Sequence, residues 1–300
     1  MPYIYKITEN QRQGRSAVIT GFEGAARFLQ IPPELEGVPV TVVGGHAFSG
    51  RKDLLEVRIP ESVTEIGSYA FYNCRNLRMI ELTDCTEDYG DGVLRMCPGL
   101  RTIRLNLRRG YFRLLKDLIE DTEEELHFHL VMPDGESAKL TFPRYYSEVR
   151  EDTRARAIHS SIRGAGFTYR QCVSRKGIDF AAYDASFERS VMADILGAAE
   201  IALERMECPY ELTEKAGAEY RAFLTEHSNE ILPWLVAMGR DTYVRLLTEC
   251  SEISRETLDR AAKLAADERQ SEICSILMDA VKEKYPASDG PKVFSLDDFF

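Results

Sequence analysis

Between Phe48 and Leu105 the chain repeats one arrangement of apolar and polar positions three times. Phe48, Leu54, Val57 and Ile59 return as Phe71, Leu77, Ile80 and Leu82, then as Leu94, Leu100, Ile103 and Leu105, each set 23 positions further on. The last two members of each set flank a polar residue in an L-x-x-I-x-L pattern, which predicts a strand with one face turned inward. The first member, an aromatic or Leu, anchors the loop side of the same unit. A fixed period of this size predicts a solenoid: one coil cannot bury its own apolar face, but stacked coils share a continuous interior.

The pattern extends in both directions. Leu29-Gln30-Ile31-Pro32 matches Val57-Arg58-Ile59-Pro60 at an offset of 28, so the first coil carries a longer turn around Glu36-Gly37-Val38-Pro39. Further upstream, Tyr3 to Ile7 and Ser16 to Thr20 alternate around a polar segment and predict a hairpin capping the first coil. Downstream, the same period places Leu126 and Phe128 beside Ile103 and Leu105, with a short amphipathic helix (Leu114, Leu115, Leu118, Ile119) where the loop anchor would stand. After Pro133-Asp134-Gly135, Ala138, Leu140 and Phe142 alternate as an antiparallel closing strand.

The motifs of residues 29 to 83 are specific. Ile59-Pro60, Val63, Ile66-Gly67, Ala70-Phe71, Cys74 and Leu77 follow the order I-P-x-x-V-x-x-I-G-x-x-A-F-x-x-C-x-x-L, with Ile31-Pro32 and Ala47-Phe48 as further copies. This stretch resembles the BspA-like bacterial leucine-rich repeats, less closely to about residue 105, where Val93-Leu94 replaces Ala-Phe. The resemblance implies a right-handed solenoid arc and a binding or adhesion role instead of catalysis. It also implies that export to the cell surface is one fate of such proteins.

Beyond Tyr145 the period of two stops and helical spacing takes over. Helices are expected at Phe187 to Met206, Thr213 to Glu226, Ser228 to Met238, Arg240 to Glu249, Ser254 to Ala266 and Glu268 to Tyr285. Thr213 and Ser254 stand as N-caps. Leu232 to Glu249 can be laid on Ala262 to Asp279 at an offset of 30, pairing Leu235 with Ala265 and Tyr243 with Ile273. This resembles a loosely ankyrin-like helical repeat. The expected fold is therefore α+β: a leucine-rich-repeat domain with its hairpin cap over 1–142, a connector over 143–187, an α-helical repeat domain over 188–285 and a tail over 286–300.

A chain of 300 residues has room for two folding units. Its net charge of −11 argues against a nucleic-acid binder, which needs a basic face. No apolar run is long enough to span a bilayer, and the first residues carry no secretory signal. Seven scattered cysteines without C-x-x-C read as reduced core thiols, so a cytoplasmic protein is expected.

Candidate chemistry is sparse, with none of the common nucleophile, phosphate-loop or zinc-protease motifs present. On the strands, Arg58, Glu81, Arg104 and His127 form an outward ladder at the 23-residue period, with His129 in the neighbouring row. This is read either as a recognition surface or as charges neutralising one another. His127-x-His129 sets two imidazoles on one strand face, but no further ligand cluster stands at a suitable spacing, so a solvated face is expected and no metal or cofactor. The basic run from Arg101 to Lys116 lies beside the acidic run from Asp117 to Glu125, which predicts mutual salt bridging. Arg170 stands near Cys172 and could lower its pKa, although an inert thiol is the default.

These features point to a non-enzymatic scaffold that binds a protein partner through repeat surfaces, with Arg58, Glu81, Arg104, His127 and His129 as partner-binding candidates. The alternatives are an enzyme with a site near Arg170, Cys172 and Asp179, and a surface adhesin. Phe294, Leu296, Phe299 and Phe300 in the tail are candidates for docking within the chain or onto another protein.

Overall fold

The computed structural model describes residues 2–10, 14–152 and 157–286 and divides the chain into two compact units, Met1–Gly217 and Ala218–Phe300. The tail residues Phe294 to Phe300 lie outside the described residues.

The first unit opens with strands β1 (Tyr3–Asn10), β2 (Gly14–Phe22), β3 (Phe28–Gln30), β4 (Glu34–Leu35), β5 (Val38–Val43), β6 (Glu56–Arg58), β7 (Glu65–Ile66), β8 (Met79–Thr83), β9 (Asp88–Tyr89) and β10 (Thr102–Asn106). Helix α1 (Arg113–Glu120) and strands β11 (Leu126–Val131) and β12 (Ser137–Phe142) complete the solenoid. Its coils alternate between two sheets. The longer is ordered β12-β11-β10-β8-β6-β3, parallel except for β12, which pairs antiparallel with β11. The other is ordered β1-β2-β5-β7-β9, with the antiparallel β1–β2 hairpin joined to the parallel stack through β2. The predicted cap and closing strand are both present.

The interior follows from the register. Leu29, Val57, Ile80, Ile103 and Phe128 stand side by side on consecutive parallel strands and are buried. The coil from β10 to β11 is two residues longer than the period, because α1 replaces its turn, so Ile103 pairs with Phe128 and not with Leu126. An offset of two keeps the same side chains inward, since strand side chains alternate with period two. Leu126 is buried as well, as is the apolar face of α1 formed by Leu114, Leu115, Leu118 and Ile119.

The loop side is as regular as the strands. The rings of Phe48 and Phe71 stack with centroids 5.2 Å apart. The thiols of Cys74 and Cys97 donate to the carbonyls of Phe48 and Phe71, one coil back. Backbone amides of His46, Phe48 and Gly50 donate to the carbonyls of Ser68, Ala70 and Tyr72, and those of Tyr69, Phe71 and Asn73 to Asp91, Val93 and Arg95. Positive φ angles recur at the same points of each turn, at His46, Tyr69 and Gly92 and at Gly50, Asn73 and Met96. The coils also touch backbone to backbone: a Cβ on Gly67 would lie 2.4 Å from the Gly45 nitrogen, which only glycine avoids.

Residues 143–217 belong to the first unit. They form the hairpin β13 (Tyr146–Asp152) and β14 (Ala157–Arg163), helix α2 (Gly166–Gln171), the short pair β15 (Val173–Ser174) and β16 (Gly177–Ile178), and helices α3 (Phe180–Ala185), α4 (Phe187–Ala193) and α5 (Ile195–Glu207). The single helix expected from Phe187 to Met206 is two. Asp194 leaves helical geometry (φ −162°, ψ 118°), and its carboxylate accepts from the amides of Leu196 and Gly197, capping α5. Helix α5 packs against β12. Its Arg205, with a fully buried side chain, meets Asp184 of α3 at 2.8 and 3.0 Å.

Helix α6 (Glu214–Glu226) begins with the Thr213 hydroxyl accepting from the Ala216 amide. The second unit continues with α7 (Ser228–Ala237), α8 (Asp241–Cys250), α9 (Arg255–Asp267) and α10 (Ser271–Lys284). Helix α9 packs on α7 and α10 on α8. The repeat extends to the turns. Gly239 and Arg269, thirty residues apart, both take positive φ, and the next amides, Arg240 and Gln270, donate to Leu235 and Ala265. Among the described residues, no helix is long and apolar enough to cross a membrane.

Candidate functional site

The outward positions of the longer sheet form one polar row. Register places Gln30, Arg58, Glu81, Arg104, His129 and Lys139 side by side across β3, β6, β8, β10, β11 and β12. The third place downstream of Arg58 is therefore taken by His129. His127, expected there, pairs with Thr102 because of the two-residue extension before β11. Arg58 and Glu81 approach to 3.4 Å with both side chains about half exposed, so that pair neutralises itself in water and adds little stability. Arg104 is exposed and makes no ion pair among the described residues. Lys139 is held by Glu207 of α5 at 2.6 Å. Burial, with the nearby cations Lys139 and Arg104, holds the pKa of His129 below its ordinary value, so this imidazole is neutral at pH 7.

Glu81, Arg104, His129 and Lys139 of this row line an open cleft of about 610 Å³, with Arg108 and Cys208 also among its walls. Arg108 pairs with Glu61 at 3.0 Å on one side of it. Three more cations of the basic run are paired as well. Arg113 and Lys116 meet Asp117 and Glu120 one turn on in α1, and Arg109 meets Glu87 of the preceding coil. The salt bridging expected between the two runs is present within α1, while other partners come from neighbouring coils.

His127 is not on a solvated face. Only 8% of it is exposed, because α5 lies over this end of the sheet. Its Nδ1 is 2.9 Å from Glu204, and its Nε2 is 3.3 Å from Glu125 and 3.5 Å from Glu200. The Glu204 carboxylate also accepts from the Thr141 hydroxyl at 2.5 Å. Burial alone would lower the pKa of His127, but hydrogen bonds to Glu125 and Glu204 and the charge of Glu200 raise it to about 10. Burial would likewise raise Glu204, and the imidazole beside it brings its pKa below the ordinary value. Glu125, His127 and Glu200 bring one ligand atom each within 4.8 Å of the others, so these residues could hold a metal ion. Tertiary packing supplies the carboxylates that local spacing did not reveal. The available signal was Glu200 and Glu204 on one face of α5, with nothing to say which strand that face covers.

Arg170, Cys172 and Asp179 have structural occupations. The Arg170 guanidinium is buried and donates to the carbonyls of Pro143, Gly166, Thr122 and Glu124, joining α2 to the end of the solenoid. Cys172 donates to the Thr168 carbonyl, and burial raises its pKa, so the thiolate needed for nucleophilic chemistry is disfavoured. Asp179 caps α3 through the Ala182 amide.

Residues 34–111 match the BspA type leucine rich repeat region in six copies. A match of this kind points to a protein-interaction or surface repeat protein without naming a partner. Solved structures similar to part of the chain include a leucine rich cell surface protein from Faecalibacterium prausnitzii (28% identity over 36% of this chain and 32% of that one, TM-score 0.29). Another is a leucine-rich repeat protein from Bacteroides ovatus (22% identity, 35% of this chain and 34% of that one, TM-score 0.26). A third is the leucine rich repeat protein of T. pallidum (21% identity, 35% and 72%, TM-score 0.24). The chain thus spans about a third of the length of the first two. No curated protein matches it.

Proposed function

We propose that the protein is a non-enzymatic scaffold that binds a protein partner along the outer face of the longer sheet, in the cleft over Glu81, Arg104 and His129. The observation that carries this reading is an exposed Arg104 without an ion pair, set in the middle of a row whose other charges are engaged. The partner accordingly presents a carboxylate to Arg104 and an apolar or neutral segment to Pro60, Val131 and the neutral His129. An open face built by stacked coils suits an extended protein surface better than a small substrate. Thiols that pack in the core and donate to neighbouring carbonyls, as Cys74 and Cys97 do, support a reducing, cytoplasmic setting.

The test is affinity capture from the source cell, followed by titration of the captured protein against variants. Arg104→Glu is expected to weaken binding tenfold or more and His129→Asp by a similar factor, while Arg255→Glu on α9 leaves it unchanged. A partner bound equally well by all three variants would remove the sheet face from the proposal.

A further inference from the structure

Three carboxylates surround the imidazole of His127, and their distances sort them into two kinds. Nδ1 stands 2.9 Å from Glu204 Oε1, within the range of a charge-assisted hydrogen bond. Glu204 is fixed in turn by Thr141 through its other oxygen. Nε2, on the far side of the ring, is 3.3 Å from Glu125 Oε1 and 3.5 Å from Glu200 Oε2, both beyond the ordinary hydrogen-bond distance of about 2.9–3.0 Å. A tetrahedral zinc ion with bonds of about 2.0–2.1 Å holds its ligand atoms roughly 3.3 Å apart. The pair of longer distances fits co-ligands of one ion better than donors and acceptors of one proton.

We propose that His127 Nε2, Glu125 Oε1 and Glu200 Oε2 form a binding site for one divalent cation of the zinc class, with Glu204 orienting the imidazole from behind. Glu204 accepts the Nδ1 hydrogen, and the ion takes the place of the Nε2 proton, which is released to solvent; this is the carboxylate–histidine arrangement that metal sites use to fix the tautomer. Glu125 keeps about a third of its side chain exposed, which leaves an entry path and room for water as a fourth ligand. His127 and Glu125 belong to the last parallel coil and Glu200 to α5, so the ion joins the solenoid to the helix that covers it. Its role is structural.

The experiment uses the full chain, stripped with a chelator and titrated calorimetrically with zinc chloride, with X-ray absorption at the zinc edge on the loaded protein. The expected result is one equivalent bound, a first shell of nitrogen and oxygen with an imidazole signature and no sulfur, and a melting midpoint raised by about 5 °C or more at a hundredfold excess over Kd. Glu200→Gln and Glu125→Gln are each expected to weaken binding at least tenfold with an unchanged circular dichroism spectrum, while His129→Gln leaves it intact. Should Glu200→Gln fail to fold, the more open Glu125→Gln decides alone. Absence of binding in the parent chain, a sulfur-containing shell, or binding indifferent to Glu125→Gln would each overturn the site.

Discussion

Replacing Asp184 by Asn is expected to be the most damaging single-charge change in the first unit. The Arg205 side chain is 0% exposed and that of Asp184 4%, and their two contacts of 2.8 and 3.0 Å form a bidentate pair. The guanidinium also donates to the Tyr210 carbonyl and lies 5.1 Å from the centre of the Phe180 ring. Removing the carboxylate charge deprives a buried cation of its bidentate partner, a situation that costs about 3–5 kcal/mol. In a unit of this size each kcal/mol moves the melting midpoint by about 2–4 °C, so a fall of roughly 6–20 °C is expected. Arg205→Met should cost a similar amount by stranding the carboxylate. The double variant should lose less than either single one, because no stranded charge is left behind; the coupling in a double-mutant cycle is then more than about 3 kcal/mol. Urea denaturation read by hydrogen exchange over residues 195–207 assigns the loss to α5. A cost below about 1 kcal/mol for Asp184→Asn, or a double variant whose loss equals the sum, would refute the argument.

Three further outcomes follow from contacts between coils. Gly67→Ala brings a Cβ to 2.4 Å from the Gly45 nitrogen, so the coils must part; a loss of about 3 kcal/mol in urea unfolding is expected, and no loss would mean that the stack yields easily. Phe71→Ala empties a site that is 0% exposed and stacked on Phe48, at an expected cost of about 3–5 kcal/mol by the same measurement. Asp53 accepts from Arg51 at 2.9 Å and from the Ala26 amide at 2.7 Å, and the Arg51 bond foremost lowers its pKa below the ordinary 3.8. Its folded value being the lower, the contribution is fully present above the unfolded value and is lost as pH falls through the folded one. Thermal melts between pH 5 and 2 should show a steeper acid decline for the parent than for Asp53→Asn, and identical slopes would dismiss the clamp.

The strand rows were legible because burial on one face of a strand leaves a period of two and stacking repeats it at 23 positions, as Val57, Ile80 and Ile103 display. The two apolar pairs of α1 and the hydroxyl caps at Thr213 and Ser254 were legible for the same reason, each being a local pattern with a local cause. The register of β11 was not. Only the pairing itself tells that α1 lengthens its coil, and this moves the last place of the ladder from the expected His127 to His129. Strands β7 and β9 have two residues each, too few to display any period. Glu200 and Glu204 reach His127 from α5 across a long stretch of chain, and no spacing within the sequence encodes such a meeting.

The antiparallel strand β12 has a consequence for building with this fold. It seals one end of the longer sheet, and the β1–β2 hairpin is fastened to the opposite end of the other. A unit appended beyond β12 would meet an antiparallel edge there and find no parallel strand of the longer sheet to continue. Enlargement must come by splicing: duplicating residues 56–78 in place inserts one 23-residue module between two that already accept it, and the grafted row would lengthen the charged face by one rung while both lids stay where they are.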